Sequence, residues 1–304
     1  MPLLSAVQQY NDSVSSSAKT PVGVFVGGTS GIGRGMARAF ARHHKGNARL
    51  IIIGRNKTAA DALIASLPAP ANQLSEFIPC EASLMRNIDA ACEQLAKRDV
   101  DKINYLVLTV GEFTTITGEK TEEGVNKLFA AMFFGRFRWI QNLSPALDRA
   151  AEAGEEAKVM SVARAGKGGP VDWDDLDFTK NVIRRLPSEV PTMQDLMLQG
   201  FAKRHPKVAF SHSYPGAVFT PLFTRSKSWV IRLLGYLLTP LFWLISISED
   251  QSGEYMMYGV YRSPLGFSSV GERGDVVQGY EGSDEEIEKM WNYAYSRPNV
   301  PYKN

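Results

Sequence analysis

The sequence predicts an α/β protein on a doubly wound parallel sheet, a single domain carrying an apolar lid segment near its C-terminus. Three observations carry that reading. Short, β-branched apolar runs alternate with stretches of helical apolar spacing. The first run closes on a glycine turn that opens a helix. The chain has 304 residues, ample for one large core.

In order, residues 1–20 read as a polar lead-in, Ser-rich over 11–19, and 21–304 as one domain. Val22–Val26 is the first strand, followed by the glycine turn and helical spacing over 34–41. A second strand over 49–55, a helix over 58–66, a third strand over 76–81, a helix over 86–98 and a fourth strand over 105–111 continue the pattern. Right-handed crossovers between such strands give a parallel sheet, with the glycine turn at the carboxyl edge of its first strand. The stretch 122–147 predicts a long helix whose Phe129, Phe133, Phe134, Phe137 and Trp139 suit a core or a subunit contact better than a cofactor box. Lys158–Val162 is a fifth strand, 166–177 a polar loop, 193–204 a helix and 208–214 a sixth strand. The apolar stretch 229–245 nearly reaches bilayer length, but Arg232 and Pro240 interrupt it. It reads instead as a lid or substrate-pocket wall within 223–250, with transient membrane-surface contact left open. A terminal helix covers 285–295.

Composition narrows the function classes. Hydrophobic residues make up 44% and charged residues 22%, an ordinary balance for a soluble globule. A net charge of +2 without a basic block argues against a nucleic-acid surface. Cys80 and Cys92 stand apart from each other and from any His, so neither a disulfide framework nor a metal site is expected. The apolar start 2–7 is too short for a signal peptide, which makes a cytoplasmic setting the expectation.

The chemistry-bearing motif is Gly27-Gly28-Thr29-Ser30-Gly31-Ile32-Gly33, set between a strand and a helix. Glycine permits positive φ and close backbone approach, and a helix N-terminus offers unpaired N–H groups and partial positive charge. Together these suit a pyrophosphate. A 2′-phosphate calls for guanidinium partners, whereas a ribose diol calls for a carboxylate after the second strand. That strand ends in Gly54-Arg55-Asn56, with no acid, and Arg34 follows the turn, so NADP(H) is the expected cofactor.

Over 22–222 the residues resemble the short-chain dehydrogenase/reductase superfamily, with its Rossmann-type fold. Gly27, Gly31 and Gly33 have that family's glycine spacing, with Val26 where Thr is usual. Thr109-Val110-Gly111 stands for an Asn-Ala-Gly segment. Pro215-Gly216-Ala217-Val218-Phe219-Thr220 resembles the family's Pro-Gly-x-Val-x-Thr loop, which implies that the Thr220 hydroxyl meets the nicotinamide carboxamide. Glu81 falls where the family often places an Asp near adenine. The cofactor set implied is Gly27, Thr29, Ser30, Gly31, Ile32, Gly33, Arg34, Arg55, Glu81, Val110, Gly111, Pro215, Gly216, Val218 and Thr220. Within the superfamily the chain looks like fungal members distantly similar to the retinol-dehydrogenase type. The family's common dimer through its long helix makes a homodimer an open partner.

The resemblance fails at the catalytic residues. The family's Tyr-x-x-x-Lys pair aligns near Pro187 and Pro191, its Ser with Ala163 or Arg164, and its Asn with Met132. Proline can neither exchange a proton nor donate an N–H. Candidates for replacement chemistry are Ser161, Arg164, Ser188 and Tyr214, with Glu189 and His212 as further titratable or polar groups nearby. Three functions follow. The first is an NADP(H)-dependent oxidoreductase on a bulky, lipophilic, secondary-metabolite-like carbonyl or alkene with a non-standard proton relay. The second is a non-redox isomerase or cyclase acting by shape and electrostatics. The third is a non-catalytic nucleotide binder.

Overall fold

A computed structural model describes residues 2–14, 16–111, 119–220 and 246–297, together with Arg232, Leu233, Gly235, Trp243 and Ile245. The eight-stranded sheet has the order β3-β2-β1-β4-β5-β6-β7-β8, where β1 is Val22–Val26, β2 Arg49–Gly54, β3 Glu76–Pro79, β4 Tyr105–Leu108, β5 Lys158–Val162, β6 Ala209–Ser213, β7 Gly266–Val270 and β8 Val276–Val277. All neighbours are parallel except β8, which is antiparallel to β7. The strand order reverses direction between β1 and β4, the switch point at which a doubly wound sheet opens a crevice.

Alternation along the central strands feeds two cores. Val24, Val26, Ile51, Ile53, Leu106 and Leu108 pack into one layer with α5 (Met85–Ala96), α7 (Gly135–Glu152) and α8 (Val182–Arg204). Phe25, Leu50, Ile52, Tyr105 and Val107 pack into the other with α2 (Gly31–His43) and α9 (Glu249–Arg262). On that second face Gly35 and Gly253 let the two helices touch: a Cβ on Gly35 would lie 2.0 Å from the Glu249 carbonyl oxygen. Helix α10 (Asp284–Ser296) closes the first face, with Trp291 edge-on to Phe137 at 5.0 Å.

Several boundaries depart from the sequence expectation. The aromatic helix begins at Lys127 rather than at 122, because Gly124 (φ +79) turns the chain and the Asn126 side chain caps Leu128 and Phe129. It runs as α6 (Lys127–Phe129), a π-helical turn over Ala130–Phe134, and α7 as far as Glu152. Its Phe129, Phe133, Phe134, Phe137 and Trp139 are all at most 2% exposed within this one chain, so they are core. Helix α8 starts at Val182 and runs through Pro187 and Pro191, well ahead of the expected 193. Each proline lacks the N–H that would close its helical turn, and Gly169 N–H donates to the Ser188 carbonyl between them at 2.8 Å. The N-terminal lead-in holds a helix, α1 (Leu4–Asp12), anchored where buried Asn11 donates to the Glu254 carboxylate at 2.9 Å. Short helices α3 (Lys57–Ala65) and α4 (Ala71–Leu74) complete the β2–β3 crossover.

The proposed lid lies mainly outside the described residues; of its end, Ile247 pairs with Val218 and Ser248 caps α9. Among the described residues no helix is long and apolar enough to cross a membrane.

Candidate nucleotide and active site

The glycine turn closes tightly at the carboxyl edge of β1. Gly27 has φ +89 and Gly31 φ +56, where side chains are strained. A Cβ on Gly27 or Gly33 would lie 2.6 or 2.4 Å from Oγ1 of Thr109, the residue after β4, whose hydroxyl donates to the Val26 carbonyl at 3.0 Å. Thr29 packs over the end of β2, where a Cβ on Gly54 would meet its Cγ2 at 2.8 Å. Ser30 holds the N-cap position of α2 with an extended backbone, yet its hydroxyl bonds no helix N–H. The first-turn amides around half-buried Ile32 therefore still present their hydrogen-bonding capacity at the crevice.

The loop after β6 arches back over this turn. Thr220 Cγ2 lies 3.0 Å from where a Gly31 Cβ would be. Phe219 N–H donates to the Ile247 carbonyl at 2.8 Å and Ile247 N–H to that of Ala217 at 3.0 Å, which fixes Val218 and so Thr220. Gly216, at φ +69, makes the bend after buried Pro215, with Glu272 packed against it.

The two arginines proposed for the cofactor are placed differently. Arg34 turns toward α9 and pairs with Glu249 at 2.7 Å. Arg55 stands at the end of β2, its side chain 70% exposed, 3.2 Å from Glu81 at the end of β3. Val110 and exposed Gly111 follow β4, and the Val110 carbonyl accepts from Arg136.

Beneath the crevice lies a polar layer that joins Ser161 and His212, both named from the sequence, to Arg136, Gln194 and Asp195, which sequence reasoning missed. Arg136 of α7, 3% exposed, donates to Ser161 Oγ at 2.5 Å and to the carbonyls of Leu108 (3.1 Å), Val110 (2.8 Å) and Val162 (2.9 Å). Burial pushes its guanidinium down to about 10. Ser161 Oγ donates to Gln194 Oε1 at 2.9 Å, and Gln194 Nε2 to the Met132 carbonyl at 2.9 Å. One strand over, His212 Nδ1 lies 2.5 Å from Asp195 Oδ1, while its Nε2 accepts from Arg164 N–H at 3.3 Å. With Nε2 accepting, Nδ1 is the ring nitrogen that donates to Asp195. The available signal was polar residues placed at apolar helical positions: Arg136 within the aromatic run, and Gln194 and Asp195 within the buried half of α8.

The structure therefore separates the catalytic candidates. Ser161 is fully buried between Arg136 and Gln194. Glu189 is buried and held by Arg185 at 2.6 Å. Arg164, just beyond β5, is exposed, and its guanidinium has no hydrogen-bonding partner among the described residues. Ser188 is exposed on α8 beside half-buried Pro187, and Tyr214 is half-buried at the end of β6 with Lys167 Nζ 5.4 Å over its ring.

A dinucleotide fits these residues. The cradle has no room for side chains at Gly27 or Gly33, the α2 amides face the crevice, and a cation stands at the β2 end. Among the described residues no cluster of acids, His or Cys suits a metal ion.

Residues 22–170 match the short chain dehydrogenase family. An oxidoreductase of Emericella nidulans is 34% identical over 270 residues, spanning 85% of this chain and 79% of that protein. The fold is shared with a short-chain dehydrogenase from Sphingobium yanoikuyae in complex with NADPH, at TM-score 0.58 and 19% identity over 82% of this chain and 87% of that one. It is shared equally with a 3-ketoacyl-(acyl-carrier-protein) reductase from Brucella melitensis complexed with NADH, at TM-score 0.57 and 19% identity over 84% and 98%. With the glycine turn, the strand order and a relative this similar over most of its length, the chain belongs to the short-chain dehydrogenase family.

Proposed function

We propose that this protein is an NADP(H)-dependent oxidoreductase acting on a bulky, lipophilic carbonyl or alkene through a proton relay of its own. One observation carries the reading: Thr220 seated on Gly31 beside the uncapped amides of α2, which brings two distant parts of the chain together as a dinucleotide cradle. The NADPH complex of the Sphingobium relative supports it, and the NADH complex of the Brucella reductase marks NADH as the competitor. Arg55 is the proposed partner of the 2′-phosphate, because Arg34 is already committed to Glu249. The cofactor, when bound, supplies or accepts a hydride.

The residues around it then divide into supporting and substrate-facing groups. Arg136, Ser161 and Gln194 brace the ends of β4 and β5 from below. Arg164 is the proposed holder of negative charge developing on the substrate oxygen, since a guanidinium stays protonated and presents several donors. Tyr214 and Ser188 are the hydroxyls proposed to move a proton at that oxygen. The apolar stretch 229–245 supports a large hydrophobic substrate.

Pro187 and Pro191 within α8 favour one other reading, a non-redox isomerase or cyclase on the same fold. The test mixes protein, NADPH and a panel of lipophilic ketones and enones, and follows nicotinamide absorbance alongside substrate loss. Substrate-dependent oxidation of NADPH is the expected result. Substrate conversion with NADPH bound but unconsumed replaces the first reading with the second. Arg164→Ala should then lower kcat about a hundredfold, the scale of a lost oxyanion donor, and an unchanged kcat removes Arg164 from the mechanism.

A further inference from the structure

Arg136 and Arg138 stand two residues apart on α7, both nearly fully buried. Arg138 is paired with Asp89 at 2.6 Å. Arg136 has no acid among its hydrogen-bond partners: three are carbonyls, the fourth is the Ser161 hydroxyl, and its buried Nε has none in the described structure. Burying a cation on neutral partners alone is expensive, and a neutral amide would tie β4 to β5 with less desolvation. The charge itself thus calls for an explanation.

Its place supplies one. The guanidinium bridges the carbonyls that end β4 and β5, at the edge where a doubly wound sheet binds its ligand. On the nucleotide reading above, on which this inference rests, Arg55 and Glu81 mark the adenosine half over β2 and β3, and the glycine turn marks the pyrophosphate. The nicotinamide half is left to the ends of β4, β5 and β6, above Arg136. NADP+ and NADPH differ in charge at one place, the nicotinamide ring, which is cationic when oxidised and neutral when reduced. We propose that Arg136 is a specificity-determining residue that disfavours the oxidised ring, so that the site binds NADPH in preference to NADP+. The buried acid of this layer, Asp195, has its oxygens on His212 Nδ1, one strand further on, and on Tyr280 N–H. It forms a constant background against which a change at Arg136 is read.

The test measures dissociation constants of NADPH and NADP+ by titration calorimetry for the wild type, Arg136→Gln, Arg136→Lys and Ser161→Asp. Arg136→Gln should lower the preference for NADPH over NADP+ about tenfold, mainly by tightening NADP+, the scale of one screened charge in a protein interior. Arg136→Lys keeps the charge and should keep the preference. Ser161→Asp sets a carboxylate beside the intact guanidinium and should lower the preference as Arg136→Gln does, which keeps the proposal testable if the glutamine variant does not fold. Equal changes in both affinities across the neutralising variants overturn it and leave Arg136 as a strand tie. Absence of binding by either nucleotide to the wild type overturns the nucleotide reading and this inference together. Normal wild-type binding with an unmoved ratio overturns only the inference.

Discussion

On the face of the sheet covered by α1, α2 and α9, Glu254 is buried among donors, whereas at the carboxyl edge Arg136 is buried among carbonyls. Glu254 meets Arg42, His43 Nε2 at 3.1 Å and Asn11 Nδ2 at 2.9 Å, and through Asn11 it fastens the N-terminal helix. Burial pushes its carboxyl up, but hydrogen bonds from His43, Asn11 and Arg42 outweigh that and hold it down at about 2. Arg136 receives only dipoles, so its field is not cancelled at the site. A buried charge matched by opposite charge acts as a fastening. One matched only by neutral groups keeps its charge available to a ligand.

The largest effect expected from this contrast falls on the fastening. Glu254→Ala leaves His43 and Arg42 without their acid and should destabilise the fold by about 3 kcal/mol in urea unfolding. NADPH affinity should be unchanged; a loss of affinity at intact stability would show that the two regions are not separate. The same region sets the acid limit. Burial, with help from neighbouring His43, pushes the His44 imidazole down to about 4 from 6.5. Its neutral form stabilises the fold fully above pH 6.5, and that contribution is lost as pH falls toward 4. Glu254 contributes in the same direction lower down, from about 4.5 to about 2. Stability should therefore decline in two steps on acidification, and the lower step should be absent from the Glu254→Ala variant.

At the open edge the largest expected effect belongs to Gly31→Asp. Its side chain would press on Thr220 and set a carboxylate where phosphate is proposed to bind, so NADPH affinity should fall about a hundredfold or more. The left-handed backbone adds a strain of about 1 kcal/mol, less than the loss in the Glu254 variant. Retained affinity would break the nucleotide assignment, and with it the distinction between the two edges.

How much of this was legible beforehand follows the same division. Strands β1 to β6 and the glycine turn were readable because buried parallel strands are continuous apolar runs and the turn has its own spacing. Strand β7 was missed because Gly-Phe-Ser-Ser-Val is half polar, its register on β6 set by tertiary pairing rather than by pattern. Helix α9 was missed although Ser248 and Gln251 form a capping box, a signal present in the sequence. Arg34 and Arg55 looked equivalent by position; only the packing of α9 against α2 distinguishes them, since it delivers Glu249 to one and not the other. The links within the polar layer around Arg136 were illegible for a similar reason, although its members stood out singly as polar residues in apolar surroundings. Its members come from α7, α8, β5 and β6, and nothing local links an arginine in an aromatic run to a glutamine beyond two prolines.

Arg55 and Glu81 give the two smallest effects and the sharpest reading of the edge. Arg55→Ala should weaken NADPH about tenfold while leaving NADH unaffected, since only the former carries the 2′-phosphate. Equal weakening of both would move Arg55 from phosphate reader to general surface cation. Glu81→Gln is subtler. Their ion pair is mostly solvent-exposed, so its loss should change stability by no more than about 0.5 kcal/mol. Glutamine keeps an acceptor for Ser83 Oγ, which now donates to Glu81 at 3.1 Å, but it no longer competes with phosphate for the guanidinium. NADPH affinity should thus rise about twofold to threefold, with NADH unchanged. A fall in both affinities instead would assign Glu81 to the adenosine itself, and Arg55 would then read phosphate with its carboxylate neighbour in place.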